Sequence, residues 1–361
     1  MKSFILGMLI ASIVTLTGCD TKLDNPDIGE KVTTNLSIVT SLEDEVSDNT
    51  AWCGTFNLIW NDLRDDLAKQ DIIFEEQTAV VDNLNKGTFT VDDLSEESYY
   101  KVYGTPTLEL KKQIEDAIKE KFNETSDILD SFVWKGNSDK DYFLYAMLKK
   151  EFEFPKVFTK LENGNFGGNT YTNVEYFGID TKTDKQVKDQ VKVMYYNSED
   201  DFAIRLSTKT NDEVIIVRGN TYNTFLDIYN DIIKRSENYD GSKSFGGRDS
   251  LKIPNITFNL KEEIEEVENK PFRFSNGEPY TIDKALQTIQ FELDEKGGKI
   301  KSEAAMGVKN MSAKPSDPRN FIVDDTFIIF LIEEGKKLPY FAAKISDITA
   351  VQSNAYPLAV Y

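Results

Sequence analysis

Apolar residues recur at three- and four-residue spacing in three stretches of this chain. Across residues 52–69, Phe56, Ile59, Trp60, Leu63 and Leu67 fall on one face, which predicts an amphipathic helix turned toward a core. Leu110, Ile114, Ala117 and Ile118 predict a second helix over 107–122, and Phe225, Leu226, Tyr229, Ile232 and Ile233 a third over 222–236. Core packing accounts for all three stripes more simply than a cofactor site does. After residue 140 the pattern changes to short β-rich runs, at 141–148, 191–196, 201–206, 214–217, 251–259, 288–293, 326–332 and 338–345. Helices come mainly early and strands late, so the expected class is α+β and not a repeating βα unit. No internal repeat or low-complexity block is visible.

The N-terminus follows a different pattern. Lys2 is followed by an apolar run over 4–14, too short to span a bilayer and of the length of a signal-peptide core. Leu16-Thr17-Gly18-Cys19 then reads as a lipobox, so residues 1–18 are expected to be a lipoprotein signal peptide and Cys19 the lipidated first residue of the mature chain. More than one acyl chain on that residue would anchor it stably, where one alone would not. Residues 19–49 are polar, rich in Asp, Thr, Ser and Asn, and are expected to form a flexible tether, with the folded domain spanning 50–361. The implied location is the membrane surface, outside the cytoplasm.

Charge and chemistry narrow the function further. The formal net charge is -20. An acidic surface of this size argues against nucleic acid as a partner, and against contact with an anionic bilayer beyond the lipid anchor. The hydrophobic share of 40% and aromatic share of 12% suffice for a sizeable core. With Cys19 lipidated, Cys53 is left alone, so no intrachain disulfide is expected, and its apolar setting suits a buried small residue. The chain has no His. That removes Ser-His-Asp and Cys-His catalysis, and with them imidazole metal sites. Neither the Gly-rich stretch 164–168 nor 245–247 follows the strand–glycines–helix pattern of a phosphate loop. No cofactor is implied, and a monomer that is not an enzyme is expected.

The order of the late segments resembles the serpin family. Residues 249–263, DSLKIPNITFNLKEE, are similar to the family's proline-containing strand that leads into a polar helix. Residues 284–298, KALQTIQFELDEKGG, resemble the strand that ends in the reactive-loop hinge, and 324–346 resemble the closing hairpin. Weaker similarities lie at 56–74, 143–158 and 200–217, while 75–105 fit poorly. The resemblance implies a serpin-like α+β fold with a large mixed or antiparallel sheet, helices and a C-terminal β-hairpin. That hairpin should bury Phe327, Phe330, Tyr340 and Phe341, with 284–293 beside the centre of the sheet.

The resemblance also implies a mechanism. In serpins a protease cuts an exposed loop, is trapped covalently, and the cut loop enters the sheet as a new strand. The matching hinge here is Glu295 and Gly297, followed by Ser302, Ala304 and Ala305, with Gly298 to Lys301 standing as an insertion. The candidate scissile window holds Met311, Ser312, Lys314, Pro315 and Ser316. Along this stretch Gly298, Ile300, Ser302, Ala304, Met306 and Val308 form one small or apolar face, and Lys299, Lys301, Glu303, Ala305, Gly307 and Lys309 a mostly charged one. The alternation fits a strand that inserts after cleavage and equally one that is always inserted. The leading expectation is a surface-tethered inhibitor of an extracellular protease. The alternatives are a non-inhibitory serpin-like lipoprotein that binds an envelope protein or ligand, and a His-free carboxylate enzyme or solute-binding lipoprotein.

Overall fold

One of the most apolar runs of the chain, Phe327–Glu333, is buried along its whole length and forms the central strand of the largest sheet. The computed structural model describes residues 36–126, 128–136, 141–180, 183, 185–298 and 317–358. With elements numbered in chain order, that sheet runs β1 (Ser37–Ile38), β2 (Thr50–Cys53), β21 (Phe341–Ile345), β20 (Phe327–Glu333), β12 (Asp212–Arg218), β11 (Asp201–Ser207), β10 (Val191–Ser198). Its pairings are antiparallel except for β1 with β2, so the sheet is mixed. The expected closing hairpin is present: β20 and β21 pair from Phe327–Ile345 to Leu331–Phe341. Phe327, Phe330, Tyr340 and Phe341 are all buried.

A second sheet orders β19 (Asn320–Ile322), β13 (Ser250–Pro254), β9 (Tyr176–Ile179) and β6 (Thr159–Lys160). Smaller ladders join β14 (Ile256–Glu263) to β17 (Leu286–Leu293), β3 (Tyr99–Gly104) to β4 (Phe143–Leu148), and β15 (Pro271–Arg273) to β16 (Pro279–Thr281). The remaining sheets are β7 (Gly164–Phe166) with β8 (Tyr171–Val174) and β22 (Tyr356–Pro357), and β5 (Phe152–Glu153) with β18 (Gly297–Gly298). The α+β class expected from the patterning is the class observed. Strand β17 differs from expectation, pairing with β14 in a ladder of its own and not lying in the seven-stranded sheet.

The helices follow their stripes. Helix α3 (Leu108–Phe122) buries Leu110, Ile114 and Ile118. Its Thr107 side chain accepts the Leu110 N–H, and Asn123 ends it in the left-handed region at φ 53°. Helix α5 (Phe225–Asn238) is capped likewise by Thr224 and buries Phe225, Ile228, Tyr229 and Ile232. The first expected helix begins later than its apolar spacing suggests. Trp52 lies in β2, opposite Ala342, and α1 (Thr55–Asn61) starts after Gly54 and continues as a π-helix over Asp62–Ala68. Helices α2 (Ala79–Asn85) and α4 (Lys185–Lys188) are short.

Two other expectations are corrected. The resemblance of 249–263 implies a strand that leads into a polar helix, yet its end, β14, is a strand throughout, because Ile256, Phe258 and Leu260 alternate inward with Thr257, Asn259 and Lys261 outward. The tether does not reach residue 49. Leu36, Ile38, Leu42 and Val46 are buried in the main core, and the Asp44 carboxylate accepts hydrogen bonds from the Thr40 and Ser41 backbone N–H groups and from Asn83 Nδ2. The polar composition of 36–49 therefore builds a tied-down turn, and the folded body begins no later than Leu36. The expected signal peptide over 1–18, Cys19 and residues 20–35 lie outside the described residues.

Candidate functional site: the hinge and the strand slot

Strand β17 alternates cleanly. Ile289, Phe291 and Leu293 face the core, while Thr288, Gln290 and Glu292 face solvent. At its end the chain reverses. Asp294 and Gly297 exchange backbone hydrogen bonds of 3.1 and 3.3 Å, and Asp294 Oδ1 also accepts the Lys296 N–H at 2.7 Å. Gly297 sits at φ 133°, and a Cβ there would run into the Phe152 carbonyl. Only glycine meets both demands.

After the turn the chain enters between two strands. Gly297 and Gly298 pair antiparallel with Glu153 and Phe152 of β5 on one side, and Gly297 bridges back to Asp294 on the other. Phe154 and Phe158 donate their N–H groups to the carbonyls of Lys296 and Glu295, both at 2.8 Å. The Glu295 side chain is buried, and its carboxylate lies 3.4 Å from Lys160 Nζ and 3.8 Å from Lys296 Nζ. Of the expected hinge residues, Glu295 and Gly297 thus sit together at the sheet end. Ser302, Ala304 and Ala305 lie outside the described residues, as do Met311, Ser312, Lys314, Pro315 and Ser316.

Among the described residues, β4 pairs only with β3, and β17 pairs with β14 along its length. Since β5 follows β4 and is separated from β17 by β18, the edge of β4 away from β3 and the edge of β17 away from β14 have no strand partner among the described residues. Leu144, Ala146 and Leu148 of β4 are partly buried against the apolar clusters of the body, and Ile289, Phe291 and Leu293 of β17 are buried in the main one.

The far foot of the loop is fixed by a residue that the sequence reading missed. The Arg319 guanidinium donates to Asp249 Oδ2 from Nε at 3.0 Å and from a terminal nitrogen at 2.7 Å. It also donates to the carbonyls of Ser242 and Ser244, at 2.7 and 2.6 Å. Strand β19 then pairs in parallel with β13. In sequence, Arg319 is one more charged residue in a polar stretch, and its buried partner is remote in the chain.

Elsewhere the chemistry is sparse. Burial pushes the Cys53 thiol above its ordinary value, the opposite of what a nucleophile needs. No group of three or more His, Cys, Asp or Glu side chains suited to a metal ion occurs among the described residues. A groove of about 490 Å³ lies between α5 and the strands β11, β12 and β20, lined by Arg205, Glu213, Tyr229, Ile233 and Lys234 among others.

No family model matches the sequence, and no curated protein matches it. Solved structures do. Thyroxine-binding globulin in complex with thyroxine is similar at 13% identity over 66% of this chain, with a TM-score of 0.41. This chain spans 64% of that protein's length, less than two thirds. Serpin48 of the insect Tenebrio molitor, a highly specific serpin, is similar at 13% identity over 71% of this chain and 78% of its own, with a TM-score of 0.43. Human thyroxine-binding globulin with its bound hormone is similar at 10% identity over 70% and 76%, with a TM-score of 0.42. The fold of this chain is similar to that of serpins.

Proposed function

We propose that this protein is a serpin-like, membrane-tethered inhibitor of an extracellular protease, whose loop over 299–316 is cut and then fills the slot between β4 and β17. The observation that carries this reading is the turn at Asp294–Gly297, which already directs the chain between β5 and β17. Continuing that turn along β17 sets Gly298 opposite Leu293, Ile300 opposite Phe291, Ser302 opposite Ile289 and Ala304 opposite Gln287. Continuing the β5 pairing into β4 without a bulge sets Ser302 opposite Leu148, Ala304 opposite Ala146 and Met306 opposite Leu144. Residues directly opposite each other in a ladder share a face. The β17 continuation therefore turns the small and apolar face of the segment toward the core, and the β4 continuation sets the same face beside the partly buried Leu144, Ala146 and Leu148, while Phe143 and Tyr145 on the other face of β4 pack in the cluster around α3. The clean alternation of β17 supports insertion over an unrelated loop.

Full burial of Ile300, Met306 and Val308 would contribute about 1.5–3 kcal/mol each, with new ladder bonds besides. The test is limited proteolysis of the domain within 311–316, with melting measured before and after. A marked rise in melting temperature, together with a denaturant-resistant complex with the protease, is the expected result. No rise at all would overturn the insertion reading. Anchoring through Cys19 is part of the same proposal, and a Cys19→Ala variant that stayed as firmly membrane-bound would remove it.

A non-inhibitory binding lipoprotein is the second reading, favoured by the groove beside α5. Arg205 Nε is buried there without an acceptor, although another nitrogen of the same side chain bonds Glu213 at 2.8 Å. A rise in melting temperature on nicking, without any covalent complex, would put this reading ahead.

A further inference from the structure

A buried ammonium lies where the slot closes. Lys150 belongs to the short link between β4 and β5, and its side chain is only 8% exposed. Its Nζ lies 2.6 Å from Asp212 Oδ1 and 2.7 Å from Glu333 Oε1. Asp212 begins β12 and Glu333 ends β20, so both carboxylates come from the seven-stranded sheet. The remaining oxygens are also satisfied. Asp212 accepts the Tyr340 hydroxyl at 3.1 Å and the Thr210 hydroxyl at 2.9 Å. Glu333 accepts the Ser95 N–H and hydroxyl, both at 2.8 Å, and the Ser98 hydroxyl at 3.0 Å. Ser95 and Ser98 stand just before β3, the ladder partner of β4, and the Ser98 carbonyl accepts the Lys149 N–H at 3.1 Å. One ammonium thus ties the start of β3, the end of β4 and the approach to β5 to the back sheet.

Stability alone does not account for such a cluster. Taking three charged groups out of water costs several kcal/mol each, and well-packed apolar residues of the same volume often do as well or better. What a fully bonded buried cluster adds is a single geometry, because any shift leaves a charge or a donor unpaired. The carboxyl of Glu333 shows the balance. Burial would raise its pKa, but the Lys150 ammonium and the serine hydroxyls hold it below the ordinary value.

We propose that Lys150 is a positioning residue for loop insertion, fixing residues 149–154 against β12 and β20 so that β5 offers its edge to Gly297 and Gly298. The inference rests on the slot reading above. Phe152 lies two residues beyond Lys150 and pairs with Gly298, while Phe154 accepts no slack because its N–H is bonded to the Lys296 carbonyl. Without the clamp, the closed end of the slot loses its fixed register and the hinge loses its first pairing partner.

The test is amide hydrogen exchange over 151–158 in the intact protein, for Lys150→Met and Glu333→Gln. Glu333→Gln keeps a side chain of the same size with an acceptor for the serines, and carries the test should Lys150→Met fail to fold. Val81→Ala, in the separate apolar cluster around α2, serves as a control of general destabilisation. The expected result is exchange at Phe154 and Phe158 faster by about tenfold or more in the cluster variants, with the control near the parent value when compared at equal global stability. Exchange that rises no more than in Val81→Ala would make the cluster merely structural and overturn the proposal. The slot reading fails separately, through the absence of any melting change on nicking the parent, and that outcome leaves the exchange comparison meaningful.

Discussion

Gly297 and Arg319 hold the two feet of the loop by different means. Gly297 is fixed by conformation, since its positive φ and its contact with the Phe152 carbonyl exclude any side chain. Arg319 is fixed by charge, through a buried pair with Asp249 and two carbonyls. Removing one member of a buried pair strands the other, at a typical cost of about 3–5 kcal/mol. Arg319→Ala should therefore lower the urea midpoint of the domain substantially, and by far more than truncating the exposed Lys296. Equal midpoints for the two variants would show that Asp249 finds other partners. The glycine was legible through the resemblance of 294–297 to the family's hinge, an acidic pair followed by a glycine. The arginine was not, because pairing across 70 positions leaves no local mark.

At the scale of elements, periodicity found the strands and the two longer amphipathic helices, and failed where a segment's role depends on its neighbours. The step from β2 into α1 is one such place. Trp52 matches the helical spacing of Phe56 and Trp60, but the edge of β21 takes residues 50–53 into the sheet. Residues 36–49 are another. Their Thr, Ser, Asp and Asn content reads as solvent-exposed, yet those side chains satisfy one another and the backbone in a buried turn. Four of the five apolar residues among them, Leu36, Ile38, Leu42 and Val46, are buried, but the Ser, Thr, Asp and Asn around them make the stretch read as polar. Burying each contributes about 1.5–3 kcal/mol, so their sum rivals the whole stability of a typical domain, about 5–15 kcal/mol. A domain that begins at residue 50 should not fold cooperatively, whereas one that begins at residue 32 should. Calorimetric melting of the two would decide it, and a sharp transition in the shorter one would restore the tether to its expected length.

At the scale of the whole molecule, the proposed insertion sets the length of strand that the cut loop would have to supply. Strand β17 is 8 residues long, and at about 3.3 Å per residue a strand along it needs a run of about 26 Å. In the uncut chain, residues 299–316 begin at Gly298 beside β5 and must return to Arg319 at the head of β19. Every residue sent down the slot would lengthen the return and shorten the chain left to make it. A cut within 311–316 releases the return and leaves enough chain to line β17 from end to end. A cut after Lys301 leaves only residues 299–301, too few to reach past Phe291. Placing a unique cleavage sequence at one or the other site separates strand addition from simple relief of loop strain. The distal cut should raise the melting temperature, while the proximal cut should leave it unchanged or lower. An equal rise from both cuts would mean that the loop, and not an added strand, was the source of the gain.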